Sequence, residues 1–178
     1  MTLLIRELKP ALANVLGVIK RNKHIPTLEA AKVTAGDGKL KLLATDRFII
    51  IEHAIDYKTD QEFSYVLDEE SLQLLAKLPL MQQVDFTPDG VVAKNIKFTP
   101  ADVDYPEAIE SLLDEAWGDD WKKPAEREWE LAFKPELVKH IKDVLIIPHP
   151  DGGRKARLQA PDLRGLMMGA RLKEKQYD

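Results

Sequence analysis

The sequence predicts an α+β protein assembled from repeated β-α-β-β-β units, with helices on one face of antiparallel sheets. Three observations predict it. A polar or Lys-Pro start leads into a short apolar-faced helix at three places: Leu8-Lys9-Pro10-Ala11-Leu12, Leu67-Asp68-Glu69-Glu70-Ser71-Leu72 and Phe133-Lys134-Pro135-Glu136-Leu137. The anchoring leucines Leu12, Leu72 and Leu137 sit 60 and 65 residues apart. Behind each helix comes a glycine turn: Gly36-Asp37-Gly38, Pro88-Asp89-Gly90 and Asp151-Gly152-Gly153. A unit repeated at such a period dictates architecture, and this one describes a curved wall.

The first helix is expected over residues 8–22. Leu8, Leu12, Val15, Leu16 and Ile19 form its apolar stripe, and Pro10 suits a first-turn position. Lys9 and Lys20 lie about three turns apart and share a face, with Arg21 beside them, Lys23 just beyond, and Asn14 and Gly17 toward the same side. That side reads as a solvated helix face or as a surface for phosphates. Strands follow at 28–35, 40–44 and 48–55, with the first hairpin turning at Gly36-Asp37-Gly38. The run Phe48-Ile49-Ile50-Ile51 is apolar on both faces and implies burial or a partner surface.

The second unit has a strand at 63–67 and a helix over 69–78 that Asp68 can cap, with Leu72, Leu75 and Leu78 as its stripe. Lys77 is the only cation on its outer face. Strands at 84–87 and 91–99 flank the Asp89-Gly90 turn, and Pro100 to Pro106 is extended. Residues 107–121 break the repeat. Ile109, Leu112, Leu113, Ala116 and Trp117 fall on one stripe among Glu107, Glu110, Asp114 and Glu115, an acidic amphipathic helix that packs against its neighbours or meets a partner. A linker at Lys122-Lys123-Pro124 leads to the third unit. That unit has a strand at 129–133, a helix over 135–145 bearing Lys139 and Lys142 on its polar side, and strands near 155–159 and 166–172. The chain thus divides into a two-unit segment, 1–106, an acidic helix with linker, 107–128, and a partial third unit, 129–178.

Composition bounds the function. The chain has 178 residues, 44% of them apolar and 31% charged, which gives a sizeable core and a soluble surface. It contains no cysteine, so disulfides, thiolate catalysis and cysteine metal sites are excluded. The absence of thiol chemistry and of a signal-like N-terminus suits the cytoplasm. A net charge of −4 argues against a simple DNA-binding domain, unless the cations are segregated onto one surface. His24, His53, His140 and His149 show no metal-ligand spacing and read as structural or exposed. Thr45-Asp46-Arg47 could be catalytic, but reads better as a turn satisfied by its own side chains. No nucleophile–base pair can be named, so the expectation is a protein without catalytic residues, metal or cofactor.

The ordered motifs resemble the bacterial DNA polymerase sliding clamp family, the β-subunit processivity factors. Lys9-Pro10-Ala11-Leu12, Ile25-Pro26-Thr27-Leu28 and Leu43-Ala44-Thr45-Asp46-Arg47-Phe48 are similar to the start of a clamp domain, most of all the middle one. Asp104-Tyr105-Pro106-Glu107 resembles the Phe-Pro-Asp-Tyr signature near the end of such a domain. Leu131-Ala132-Phe133 through Leu145 resembles the last helix unit of the third domain, and Leu166-Met167-Met168-Gly169-Ala170-Arg171-Leu172 its Met-Pro-Met-Arg-Leu terminus. The family chain carries three domains of two units each, whereas this chain carries three units in all.

The resemblance implies a DNA-clamp fold and a homo-oligomeric ring, of three or four protomers, that encircles double-stranded DNA without reading its sequence. The DNA-facing residues it implies are Lys9, Lys20, Arg21, Lys23, Lys77, Lys139 and Lys142. It also implies a pocket for polymerase and clamp-loader peptides. The residues are Leu28, Thr45, Arg47, Phe48 and Ile50 from one half and Met168, Gly169, Ala170 and Arg171 from the other. Arg47 and Phe48 stand where the family commonly has Gly-His. The alternative is a clamp-derived monomeric adaptor or decoy that keeps the peptide pocket without encircling DNA.

Overall fold

The computed structural model describes residues 2–19, 25–118, 141, 144–149 and 155–168. The first unit runs β1 (Thr2–Leu4), α1 (Ile5–Ile19), a 3-10 turn at Pro26–Leu28, β2 (Ala30–Gly36), β3 (Lys39–Thr45) and β4 (Ile49–Asp56). The second runs β5 (Phe63–Asp68), α2 (Glu69–Lys77), β6 (Gln83–Thr87), β7 (Gly90–Ala93) and β8 (Ile96–Phe98). Then come α3 (Ala108–Glu115), β9 (Leu145–Pro148), β10 (Lys155–Ala160) and β11 (Leu163–Met168). All pairings are antiparallel, and the expected α+β class is the observed one.

The two sheets are not the two units. The seven-stranded sheet has the order β5-β2-β3-β4-β11-β10-β9, and the four-stranded sheet the order β1-β6-β7-β8. Each unit therefore lends its first strand to the other: Leu3 of β1 lies opposite Val84 of β6, and Val33 of β2 opposite Tyr65 of β5. The strands of the third segment join the first unit's sheet through β4 and β11, where Ile51 faces Gly165 and Ile50 faces Leu166. Close approach requires the glycine there, because a Cβ at Gly165 would stand 2.8 Å from the Ile50 carbonyl oxygen.

Strand alternation sorts the sheet's two faces. Val33, Leu42, Ile49, Ile51, Leu67 and Leu158 point to one core, shared with α1, α2 and the inner face of the smaller sheet. Ala30, Leu43, Ile50, Val66 and Leu166 point the other way, into a second cluster closed by Tyr105, Leu113 and Ala116. Tyr57, just past β4, ties the sheets together. Its hydroxyl donates to Phe86 O at 2.7 Å and accepts from Phe86 N–H at 3.2 Å, and burial pushes its pKa up to about 12.

Several elements depart from expectation. β1 was not foreseen, and it carries the chain straight into α1, three residues before the expected start. The freed amides are met from outside the helix: Ile5 N–H donates to Gln82 O and Arg6 N–H to Leu80 O, both at 3.0 Å. Pro10 consequently lies inside the helix rather than in its first turn, and removes the bond its N–H would have made to Arg6. The apolar stripe is buried as expected, but Gly17 is buried too and does not belong to the cationic side. The strand expected over 91–99 is a hairpin, because Lys94 adopts φ 54° and turns the chain between β7 and β8.

α2 begins where expected, with Asp68 accepting from Ser71 N–H at 2.8 Å. α3 is shorter than 107–121, and Leu112 is 42% exposed instead of joining its buried stripe. Leu145, expected to end a helix, starts β9, and β11 begins at Leu163 rather than Leu166. The strand expected at 129–133, most of the 135–145 helix and the third glycine turn lie outside the described residues. Ile141 and Val144 do reach the main core.

At the β6–β7 turn Gly90 has φ 117°, and a Cβ there would meet Phe98 O at 2.1 Å. Gly90→Ala is expected to destabilise the chain by ~3 kcal/mol through backbone strain and displacement of β8, read as a lowered urea midpoint at unchanged slope.

Candidate functional site

Phe48 and Met168 lie far apart in the sequence and touch in the fold. Met168 N–H donates to Phe48 O at 2.7 Å, extending the β4–β11 ladder by one step. Phe48 is presented by a turn that its neighbours hold. Asp46 is buried, and its Oδ1 accepts from Phe48 N–H at 2.9 Å and Ile49 N–H at 2.8 Å. Thr45 Oγ1 donates to Ile49 O at 2.8 Å, and Arg47 N–H donates to Thr45 Oγ1 at 3.2 Å. Arg47 sits at φ 75°. The Thr-Asp-Arg cluster is thus a turn held by its own side chains, and it leaves Phe48 57% exposed beside Met168 at 39%.

Phe48, Ile50, Leu166 and Met168 share one face of the sheet by alternation, the face that carries α3. Ile50 is covered by the α3 cluster, whereas Phe48 and Met168 stay outside it. Leu28 and Thr45 are buried and offer no open wall. Beside Leu166, a groove of about 410 Å³ runs between the end of α3 with the turn after it (Leu112, Glu115, Ala116, Gly118) and the sheet side, where His149 follows β9 and Lys155 opens β10. Gly169, Ala170 and Arg171 lie outside the described residues.

Two acidic side chains of α3 pair with cations of the sheet it covers. Glu110 takes Lys32 Nζ at 2.7 Å, and Asp114 takes Arg164 at 2.9 Å. Arg164 also forks onto buried Glu52, with Nε 2.6 Å from Oε1 and a second nitrogen 3.3 Å from Oε2. Arg157 donates to Ala116 O and lies 5.0 Å from the Trp117 ring centroid. None of these anchoring cations was singled out from sequence. The available signal was an acidic helix that needed cations on whatever it covered.

On the opposite face stands the other candidate surface. Lys9 is exposed on α1, and Lys77 is exposed at the end of α2. Lys20, Arg21, Lys23, Lys139 and Lys142 lie outside the described residues. Beside Lys9 a cavity of about 540 Å³ opens between α1 (Arg6, Lys9, Pro10, Ala13, Asn14), His53 of β4 and the turn before β11 (Ala160, Pro161, Asp162, Leu163). Lys77 is not part of it. His53 is 1% exposed, and its Nε2 is 3.0 Å from Asn14 Nδ2. Its Nδ1 faces Asp162 Oδ2 at 3.4 Å without forming a well-directed hydrogen bond. Burial holds the imidazole pKa below its ordinary value, and Asp162 pulls it back up.

Among the described residues no group of three or more His, Asp or Glu side chains could hold a metal, and no helix is long and apolar enough to cross a membrane.

Two helices side by side, backed by antiparallel sheets whose units exchange first strands, define a DNA-clamp fold. Residues 2–102 match the family model of the DNA polymerase III beta subunit, N-terminal domain, and the chain belongs to that family, the sliding clamps of DNA replication. The matched domain is the N-terminal one, not the middle one that the sequence motifs most resemble. None of the curated protein sequences matches. Among solved structures, the sliding clamp (DNA polymerase III subunit beta) of Bartonella birtlesii is similar at TM-score 0.70 and 14% identity, over 99% of this chain and 66% of that one. The beta subunit of Thermotoga maritima gives 0.67 and 16%, over 99% and 65%. That of Streptococcus pyogenes gives 0.67 and 16%, over 97% and 66%. The chain thus spans just under two thirds of the length of each of these clamps.

Arg164→Ala is expected to strand the buried Glu52 carboxylate and untie α3, at a cost of ~2 kcal/mol, with faster hydrogen exchange confined to residues 108–116 and their sheet contacts. A second expectation concerns pH. A histidine with a depressed folded pKa favours the neutral state, so its contribution is complete above the unfolded pKa of about 6.5. That contribution falls as pH drops below this value toward the folded pKa. Melting temperature should decline over this window, and less so in His53→Gln.

Proposed function

We propose that this chain is a protomer of a sliding clamp: a homo-oligomeric ring around duplex DNA that tethers a DNA polymerase. The observation that carries the reading is the unbroken sheet through β4 and β11, which lengthens the wall beyond one two-unit domain while keeping α1 and α2 on one face. A wall of this kind closes into a ring when copies add at its ends. On this reading the sequence divides into a two-unit domain, 1–106, an acidic helix and linker, 107–128, and a partial unit, 129–178. The helix face, with Lys9, Lys20, Arg21, Lys23, Lys77, Lys139 and Lys142, meets DNA phosphates non-specifically, and such contacts weaken with salt. The inward pairing of Glu110 and Asp114 keeps the acidity of α3 on the other face.

Polymerase and clamp-loader peptides would dock on that other face, around Phe48 and Met168, with Gly169, Ala170 and Arg171 continuing the seat. Two exposed apolar side chains joined by a backbone hydrogen bond make a fixed anchor point for an apolar peptide side chain. The protein supplies topology and a binding surface rather than chemistry, and the reading places it in the cytoplasm with the replication machinery.

Light scattering of the full chain should give a closed oligomer of three or four protomers. Loaded protein should stay on a nicked circular plasmid and slide off after linearisation. Reversal of Lys9, Lys20 and Arg21 to Glu should abolish retention and leave peptide capture intact, whereas Phe48→Asp should do the opposite. A strict monomer that captures polymerase peptides but never stays on circular DNA would replace the ring with the adaptor reading.

A further inference from the structure

The cavity beside α1 is built unlike an incidental surface dent. Its deepest polar group is His53, 1% exposed, and Nδ1 of that ring lacks a well-directed hydrogen-bond partner. Asn14 sits 3.0 Å from the ring's other nitrogen, Nε2. In this orientation the Asn14 amide donates, Nε2 accepts, and the neutral ring carries its proton on Nδ1. The donor therefore points away from Asn14, on the side where Asp162 Oδ2 lies at 3.4 Å. Arg6 and Lys9, one helical turn apart, line the same cavity, and Pro10, Ala13, Pro161 and Leu163 give it apolar walls. The charged and titratable groups facing it among the described residues are thus Arg6 and Lys9 from α1, His53 from β4 and Asp162 from the β10–β11 turn.

We propose that this cavity is a seat for one tetrahedral phosphate oxyanion, held by the Arg6 guanidinium, the Lys9 ammonium and His53 Nδ1–H. Three kinds of donor line the one cavity, and its apolar walls would strengthen each charge-assisted bond. Asp162 is the built-in competitor. Half exposed on its turn, it occupies the histidine's donor side in the absence of an anion and swings toward solvent when one enters. Binding is linked to protonation. A second proton on His53 adds positive charge toward the anion, while rotation of the Asn14 amide turns its oxygen toward Nε2–H. Affinity therefore rises as pH falls through the histidine range. The same seat could take a free phosphate or a phosphodiester of the DNA backbone. The second source rests on the clamp reading, in which α1 faces the duplex.

The test follows the His53 imidazole resonances of the full chain, assigned by their loss in His53→Gln, during titration with inorganic phosphate and separately with a short duplex. Phosphate should give a saturable shift at His53, and sulfate, a tetrahedral oxyanion whose charge is constant over the window, should bind several-fold tighter at about pH 6 than at about pH 8. Arg6→Ala with Lys9→Ala should weaken it by roughly ten-fold. Asp162→Asn should tighten it, an effect that a purely structural His53–Asp162 contact does not give. No saturable shift, or a shift unchanged in the double variant, overturns the seat. Duplex that competes with phosphate for the same resonances assigns the seat to the DNA backbone; phosphate binding without that competition sustains a free-anion seat and overturns the backbone source. Retention on circular plasmid by His53→Gln reports on the ring independently, so loss of the seat and loss of the clamp reading are distinguishable.

Discussion

The structure depends on the contact between β4 and β11. Without it β4 would be an exposed edge, its backbone groups open to any passing strand. With it, β4 becomes an interior strand of seven, and residues after 144 share a core with residues before 60. The contact is tight because Gly165 lacks a side chain, which lets the Ile50 carbonyl come close. It is locked on one face by Arg164 reaching across to Glu52, and on the other by apolar packing of Ile49, Ile51 and Met167. Both candidate surfaces follow from it. Phe48 meets Met168 at its end, and His53 meets Asp162 at its start.

The opposite faces of this one sheet serve opposite electrostatic ends. Alternation along β4 sends Ile50 and Glu52 to the α3 side and Ile51 and His53 to the α1 side. Lys32 and Arg164 on the α3 side pair with the acidic helix, whereas Arg6 and Lys9 on the α1 side line an open cavity. Net charge is therefore a poor guide to what this molecule attracts, since the field near each face is set by which partners are already paired.

Much of the fold was legible because local chemistry and global fold agree. Asp68 announces α2 and caps it, Asp37 and Gly38 take the positive φ their hairpin needs, and the α1 stripe is buried in full. What was illegible depends on distant partners. β1 has only three residues and exists because β6 pairs with it. The turn at Lys94 uses a residue with no special turn preference. Leu145 follows a helical pattern but is taken by β10 as a strand partner. The same holds for the sites. Phe48 and Met168 could be set side by side through family resemblance, but the cavity around His53 needs three elements to converge, and no spacing in the sequence encodes that.

The exchange of first strands has a consequence for how the molecule comes into being. Neither sheet can be finished from one unit's residues: the larger needs β5 from the second, and the smaller needs β1 from the first. During synthesis the earliest strand must wait until residues beyond 80 have emerged before it finds its ladder. Half of this chain, made alone, would carry an unmatched strand together with an empty berth for one like it, and two such halves could satisfy each other. The internal duplication amounts to that mutual embrace sewn into a single polypeptide.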